Sequence, residues 1–345
     1  MVWHPLMISI TALDLFILIL LFWAGSVALD VILNWQPCSS SSEQLRLERR
    51  AEAADLMTQW AFVLLSVNTL ITIVVLTHVL PRMIPGAMCG MGVMQALDGR
   101  GYQFIILRGL AFSLLYWQRR VAHLNRTSPV SPLTVLLARL ALLAMMFEAM
   151  AAYDSLTTLF LHLDPSQPVS CCAAIYNRID ITAAESVRIL WHSNLWPITF
   201  GITGLIILLF SIKSLWIPNR MKQSLEGKLL AVLGPLWMLA AGISLIYFFT
   251  PYIYQVLGHY CPFCLFLPEH YGIGFLLLGL LGWVGLESPL PYFLYHIQIR
   301  HPGLGPASRR RCRRSFAMLF VSVLGFSLLA GLPALVWRWR FGVWI

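Results

Sequence analysis

The chain has 345 residues, of which 59% are hydrophobic and only 11% are charged, whereas soluble globular proteins carry about 25% charged residues. This composition excludes a soluble globular domain and indicates a polytopic membrane protein. The formal net charge of +9 does not indicate a nucleic-acid partner, because the basic residues lie in short segments between apolar runs, where they set membrane topology. We therefore expect contact with membrane lipid and no nucleic acid.

The apolar runs predict about eight membrane-spanning helices, several of which reach the roughly 20 residues that a bilayer requires. The predicted spans are 7–33, 57–80, 102–118, 133–162, 194–216, 229–253, 271–291 and 315–337. The predicted fold class is therefore all-α, a polytopic membrane helical bundle.

The distribution of Lys and Arg predicts the orientation of the chain. The connections 38–56, 119–132, 213–228 and 296–314 hold 16 of these residues, whereas the segments on the opposite side hold 6. Because positively charged connections stay in the cytoplasm, both termini are predicted to lie on the outer side. We expect a bacterial inner-membrane protein, with the outer side facing the periplasm.

Charged residues also occur inside the predicted spans, where they are costly and often functional. Among them are Asp14, Arg108, Arg139, Glu148 and Asp154. Arg108 and Glu148 are predicted to lie at similar depth, so an interhelical ion pair between them is the favoured structural interpretation. A proton path is the functional alternative.

The predicted topology sorts the seven cysteines. Cys38 and Cys312 are placed on the cytoplasmic side, where thiols stay reduced. The cysteines predicted to lie on the outer, oxidising side are Cys89, Cys171, Cys172, Cys261 and Cys264. Their number is odd, so they cannot all pair with one another.

Cys89 lies in a Gly- and Met-rich segment, 82–101, that carries too little charge for an exposed loop. We predict a half-buried or re-entrant segment. Cys89 is either a further member of a thiol relay or a small packed residue, and the sequence favours neither interpretation.

The motif with the most specific chemistry is Cys261-Pro-Phe-Cys264, which lies between the apolar runs 229–257 and 271–286. Two thiols at this spacing can close a disulfide, or one can attack a partner while the other resolves the mixed disulfide. If the cysteines open a helix, its N-terminal amides favour the thiolate. Redox activity is the favoured interpretation.

Two other interpretations of this motif stay open. One is a fixed structural disulfide. The other is a metal site, since a structural zinc ion needs four ligands and Cys171, Cys172 and a nearby histidine could complete the set. Neither alternative requires a catalytic role.

Three stretches of the chain occur in an order and spacing that fit together. The first is Asp164-Pro-Ser-Gln-Pro-Val-Ser-Cys171, the second is Trp196-Pro-Ile-Thr-Phe-Gly-Ile-Thr-Gly204, and the third is the run 229–257 leading into Cys261-Pro-Phe-Cys264. Through these three stretches, residues 133–290 resemble the four-helix core of the vitamin K epoxide reductase family, whose members couple thiols to a quinone.

The resemblance implies a role for each matching cysteine. Cys264 would face a quinone of the ubiquinone or menaquinone class, Cys261 would exchange with the outer loop, and Cys171 would be the loop shuttle. The second shuttle cysteine would be Cys172, which is directly adjacent, or Cys89. The thiol partner would be a separate thioredoxin-like or other thiol protein on the outer side.

Two histidines flank the motif and are candidates for binding the quinone. Quinone reduction consumes protons, and an imidazole near a quinone carbonyl can supply one or donate a hydrogen bond. His259 and His270 are the residues that we select for this role.

These observations predict a membrane thiol–quinone oxidoreductase in three regions. They are an N-terminal membrane region of three helices and unknown role, 1–132, a four-helix thiol-redox core, 133–291, and a basic cytoplasmic loop with a final helix, 292–345. The rival hypotheses are a soft-metal-binding transporter and a non-catalytic membrane subunit whose disulfides brace its outer loops.

Overall fold

The computed structural model shows a helical membrane protein. It describes residues 4–36, 41–128, 130–159, 169, 194–216, 223–256 and 259–344. All regular secondary structure within these ranges is helical and none is strand. The predicted all-α class is confirmed.

Contacts divide the chain into two compact units, Met1–Val169 and Ser170–Ile345. The helices of the first unit are α1 (Pro5–Asn34), α2 (Ser42–Val74, continued by a π-helical turn, Val75–Val79, and a last turn, Leu80–Met83), α3 (Gly90–Ala96), α4 (Gly101–Asn125) and α5 (Thr134–Thr157).

The second unit contains a further set of helices and short 3-10 turns. The helices are α6 (Leu195–Trp216), α7 (Gln223–Ser244, continued by a π-helical turn, Leu245–Phe249, and a last turn, Thr250–Tyr254), α8 (Ile273–Glu287), α9 (Leu290–Arg300) and α10 (Gly305–Phe341). The 3-10 turns are Pro262–Phe266, Pro268–His270 and Pro302–Leu304.

Within the described residues, seven helical stretches are long and apolar enough to cross a membrane. They confirm an integral membrane protein, although the sequence predicted about eight spans. The predicted third span, 102–118, is helical as part of α4 but is not among the seven, because Gln103, Arg108 and Gln118 lower its hydropathy.

Large apolar side chains cover the outward faces of the long helices, as expected for contact with lipid. Examples are Leu15, Phe16, Ile19 and Phe22 on α1, Val63, Val67 and Leu70 on α2, Ile198, Ile202 and Leu205 on α6, and Leu328 and Leu332 on α10.

The division between the units does not coincide with the predicted boundary between 1–132 and 133–291. Helix α5, which the resemblance assigns to the second of these regions, packs against α1 and α4 and belongs to the first unit. Its alanines explain the close packing, since Ala138, Ala144 and Ala151 are buried and small side chains let membrane helices approach closely.

A layer of buried apolar residues lies at the centre of the four long helices α1, α2, α4 and α5. We call it the apolar layer; its members are Ile17, Leu21, Ala61, Leu65, Ala111, Leu115 and Ala144. On one side of it, Arg119 pairs with Asp55, and Gln118 donates a hydrogen bond of 3.0 Å to Thr58. These bonds join α2 to α4.

Two π-helical turns interrupt the long helices, and each ends two residues before a proline. Val75–Val79 precedes Pro81, and Leu245–Phe249 precedes Pro251. A proline has no N–H to donate, and its ring collides with the carbonyl four residues earlier, so the wider π-turn accommodates it. The second π-turn lies in the part of α7 that leads to Cys261.

An aromatic cluster forms the core of the second unit. Trp237 on α7 is fully buried, and its ring centroid lies 5.7 Å from that of Phe200 and 5.4 Å from that of Phe326. Phe249 contacts Phe200 edge to face at 5.6 Å. Because such pairs add to the burial of apolar area, this cluster holds α6, α7 and α10 together.

Gly204 on α6 lies directly against this cluster, and we expect Gly204→Ala to destabilise the protein by about 1–3 kcal/mol, the usual cost of overpacking a core. An added Cβ would lie 2.8 Å from Nε1 of Trp237, and the buried indole cannot move away. Thermal unfolding in detergent measures the change.

Gly201 on the same helix is the matched control, because it is exposed and an added Cβ would meet no atom within 4 Å. Gly201→Ala is expected to raise stability by about 0.5–1 kcal/mol, as alanine restricts the unfolded chain. Equal effects of the two substitutions would contradict the packing that we describe for Gly204.

Candidate active site around Cys261 and Cys264

The two cysteines of the motif are neighbours in the second unit. Cys261 precedes the 3-10 turn Pro262–Phe266, in which Cys264 lies, and the two Sγ atoms lie within 4.8 Å of each other. Cys261 is 1% exposed, whereas Cys264 is partly exposed. A change of side-chain rotamer could bring sulfurs at this spacing to the disulfide bond length of about 2.05 Å.

The cysteines do not open a long helix. The 3-10 turn after Cys261 has 5 residues, and α8 begins only at Ile273, after a second turn and a reversal of the chain. A helix dipole needs several aligned peptide units, so the predicted stabilisation of a thiolate by a helix N-terminus does not apply here.

Tyr254, at the end of α7, fixes the backbone at the motif. Its hydroxyl donates a hydrogen bond of 2.6 Å to the carbonyl oxygen of Cys261, and the side chain is buried. The hydroxyl of Thr250, one turn earlier, donates mainly to the carbonyl oxygen of Ile246 at 2.6 Å and lies 3.3 Å from the carbonyl oxygen of His259. The end of α7 therefore braces the segment that contains both cysteines.

The two candidate histidines contact one tyrosine ring. The ring centroids of His259 and His270 lie 4.8 Å and 4.5 Å from that of Tyr254. Burial lowers the pKa of His259. Burial also lowers the pKa of His270, with a contribution from His259, while Glu269 opposes the shift. Both imidazoles are therefore mainly neutral at pH 7, where each has one N–H donor and one acceptor nitrogen.

The turn after Cys264 packs closely on α8. Phe266 and Phe275 meet edge to face with centroids 5.0 Å apart, and a Cβ on Gly274 would lie 3.0 Å from the backbone of Leu265. Gly272 has a φ of +59°, a conformation that glycine adopts readily. The motif is thus held between the end of α7 and the start of α8.

Cys89 lies in the first unit. It is 1% exposed and comes directly before α3, in which Gly92, Val93 and Met94 are buried. The prediction that segment 82–101 is half-buried is confirmed. A role for Cys89 in a thiol relay stays a prediction.

One residue of the stretch from Asp164 to Cys171, Val169, is among the described residues. The backbone N–H of Val169 donates a hydrogen bond of 3.0 Å to the carbonyl oxygen of Pro85. Gly86 has a φ of +81°, and a Cβ there would overlap the carbonyl oxygen of Val169. This contact anchors the chain two residues before Cys171. Cys38, Cys171 and Cys172 lie outside the described residues.

The predicted ion pair between Arg108 and Glu148 is wrong. Arg108 instead donates to both carboxylate oxygens of Asp14, at 2.6 and 2.7 Å. Asp14 and Glu148 both lie close enough to Arg108 for their charges to interact with it, but only Asp14 is bonded to the guanidinium. The sequence also did not identify Asn68, which donates to Asp14, because a single polar residue in an apolar run carries no pairing signal.

A scan against protein-family models and searches of the curated proteins and the solved structures gave no match. The resemblance to the vitamin K epoxide reductase family therefore stays a prediction, and function has to be argued from the site.

Proposed function

We propose that the protein is a membrane thiol–disulfide oxidoreductase that passes electrons between Cys261–Cys264 and a membrane quinone. The observation that carries the proposal is the proximity of the two sulfurs, within 4.8 Å, in a braced turn. When the pair is oxidised, two S–H bonds break, one S–S bond forms, and two electrons and two protons leave. A quinone of the ubiquinone or menaquinone class takes up both and becomes the quinol.

The residue types around the motif are ones that can contact a quinone headgroup. Cys264 is the partly exposed member of the pair, so a ring dissolved in the membrane can reach it. The neutral imidazoles of His259 and His270 each carry an N–H that can donate a hydrogen bond to a quinone carbonyl. The rings of Phe266 and Phe275 add flat apolar surface beside Cys264.

The proposal assigns the remaining outer cysteines to a relay. Cys261 is almost fully buried, which prevents direct attack by a large protein thiol. We propose that Cys171 and Cys172, with Cys89 as a further candidate, carry oxidising equivalents to a separate thioredoxin-like protein. The hydrogen bond between Val169 and Pro85 supports this role, because it holds the start of the Val-Ser-Cys motif in place. The relay would face the periplasm of a bacterial inner membrane.

A single-turnover assay tests the proposal. The protein is reduced, freed of reductant under anaerobic conditions and mixed with a short-chain ubiquinone or menaquinone. We expect one quinol for each two thiols lost, because the reaction transfers two electrons. If no quinol forms with either quinone, the proposal is wrong. Thiols that bind stoichiometric Zn²⁺ or Cu⁺ and reduce no quinone would support the metal-binding alternative.

A further inference from the structure

Each of the four long helices in the first unit contributes to a buried group of polar residues. We call this group the polar layer; its members are Asp14 on α1, Asn68 and Thr72 on α2, Arg108 on α4 and Glu148 on α5. They lie one helical turn, or two for Thr72, from the apolar layer, on the side away from Asp55 and Arg119. The redox proposal uses none of these residues.

Arg108 is the centre of the polar layer. Its guanidinium donates to both carboxylate oxygens of Asp14 and, at 2.7 Å, to the hydroxyl of Thr72. Asn68 donates to the same carboxylate. Asp14 and Arg108 are 4% and 2% exposed, so this is a buried pair whose charges cancel.

Glu148 is a second carboxyl group beside this pair. It is 0% exposed, and neither of its carboxylate oxygens has a hydrogen-bond partner among the residues that the structure describes. The charges of Arg108 and Asp14 act on it. The Nε of Arg108 and the Oδ1 of Asn68 are also without hydrogen-bond partners there, so unused polar atoms lie within the same layer.

An ionised carboxylate in this position is unfavourable. It would be a buried charge without hydrogen bonds, which costs several kcal/mol within a membrane protein. Protonation removes that cost and leaves the whole layer neutral, because only the Asp14–Arg108 pair is then charged. The same guanidinium could instead pair with Glu148 if the proton moved to Asp14.

We propose that the polar layer is a proton-binding site in which Asp14 and Glu148 share one proton and Arg108 pairs with whichever carboxylate is ionised. The pairing of Arg108 with Asp14, and not with Glu148, corresponds to the state in which Glu148 carries the proton. Helix α2, the fourth helix of the layer, adds no charge to it, since it contributes the amide of Asn68 and the hydroxyl of Thr72. Two carboxyl groups that share one guanidinium titrate as a pair.

The proposal is tested by infrared spectroscopy of the full-length protein, in which a protonated carboxyl group absorbs at higher frequency than a carboxylate. At neutral pH we expect one protonated carboxyl band in the wild type. Glu148→Gln should remove it completely. Asp14→Asn should also remove it, because Arg108 then has Glu148 as its nearest anion and Glu148 ionises.

Glu43→Gln, at the exposed start of α2, is the control and should leave the band unchanged. Wild-type protein labelled with ¹³C-glutamate gives a second readout that needs no substitution, since the band must shift if it belongs to a glutamate. A wild type without a protonated carboxyl band, or a band without the isotope shift, overturns the proposal. A band that survives in Asp14→Asn overturns the sharing of the proton.

Discussion

Cys264→Ser is expected to reduce quinone reduction by the pre-reduced protein to the rate of the uncatalysed reaction. A serine hydroxyl cannot form the Cys261–Cys264 disulfide, so the motif can no longer supply the two electrons to the quinone. Cys261→Ser should have the same effect. The two sulfurs lie within 4.8 Å of each other and act as a unit, so removing either one abolishes the reaction of both. The measurement is the formation of quinol in a single turnover.

Cys312→Ser is the matched control for both variants. Cys312 is buried in α10, was predicted to lie on the cytoplasmic side and has no part in the proposed chemistry. It should keep the wild-type yield of quinol. If Cys264→Ser retained that yield as well, the motif would not be the redox centre.

Arg108→Leu is expected to destabilise the protein by about 3–5 kcal/mol, the usual cost of removing one partner of a buried ion pair. The substitution leaves the carboxylate of Asp14 buried among apolar helices with only the amide of Asn68 as a donor. Thermal or denaturant unfolding in detergent measures the loss.

Arg139→Leu is the control, because Arg139 is exposed on α5 and its replacement by an apolar residue in a membrane span should not destabilise the protein. The double variant Asp14→Leu with Arg108→Leu should recover much of the stability, since replacing a whole buried pair by apolar residues is often neutral. A double variant that is less stable than Arg108→Leu alone would contradict this account of the pair.

Much of the helical architecture could be predicted from the sequence. The long apolar runs identify the spans because a bilayer accepts little else. The exception is α4, whose polar residues Arg108 and Gln118 are both buried. The face of α4 that carries these two residues packs on neighbouring helices, and hydropathy alone does not show which helices they are.

Interhelical partners could not be predicted in the same way. Arg108 is separated from Asp14 by 94 residues, and both Asp14 and Glu148 lie within apolar runs. Which of the two pairs with Arg108 depends on which faces of α1 and α5 point towards α4. The packing of the apolar layer decides those faces. The same packing places α5 with α1 and α4. The first unit therefore ends at Val169, whereas the predicted boundary lies between residues 132 and 133.

The candidate site was partly predictable. The spacing of Cys261 and Cys264 indicates a reactive pair, and the structure places their sulfurs close together. The sequence did not reveal Tyr254, because its contact with the motif depends on the last turn of α7 and on a left-handed residue, Gln255, with a φ of +55°. Pro268 opens a second 3-10 turn before α8 begins.

The central claim is that a quinone oxidises Cys261 and Cys264 to a disulfide. The most direct measurement is a map of cysteine states, in which thiols are alkylated, the protein is digested without reduction and linked peptides are identified by mass spectrometry. After mild reduction, we expect added quinone to restore the Cys261–Cys264 link, with a fraction of Cys261 linked to Cys171 or Cys172. A link that resists reduction and does not respond to quinone would contradict the claim and indicate a structural disulfide.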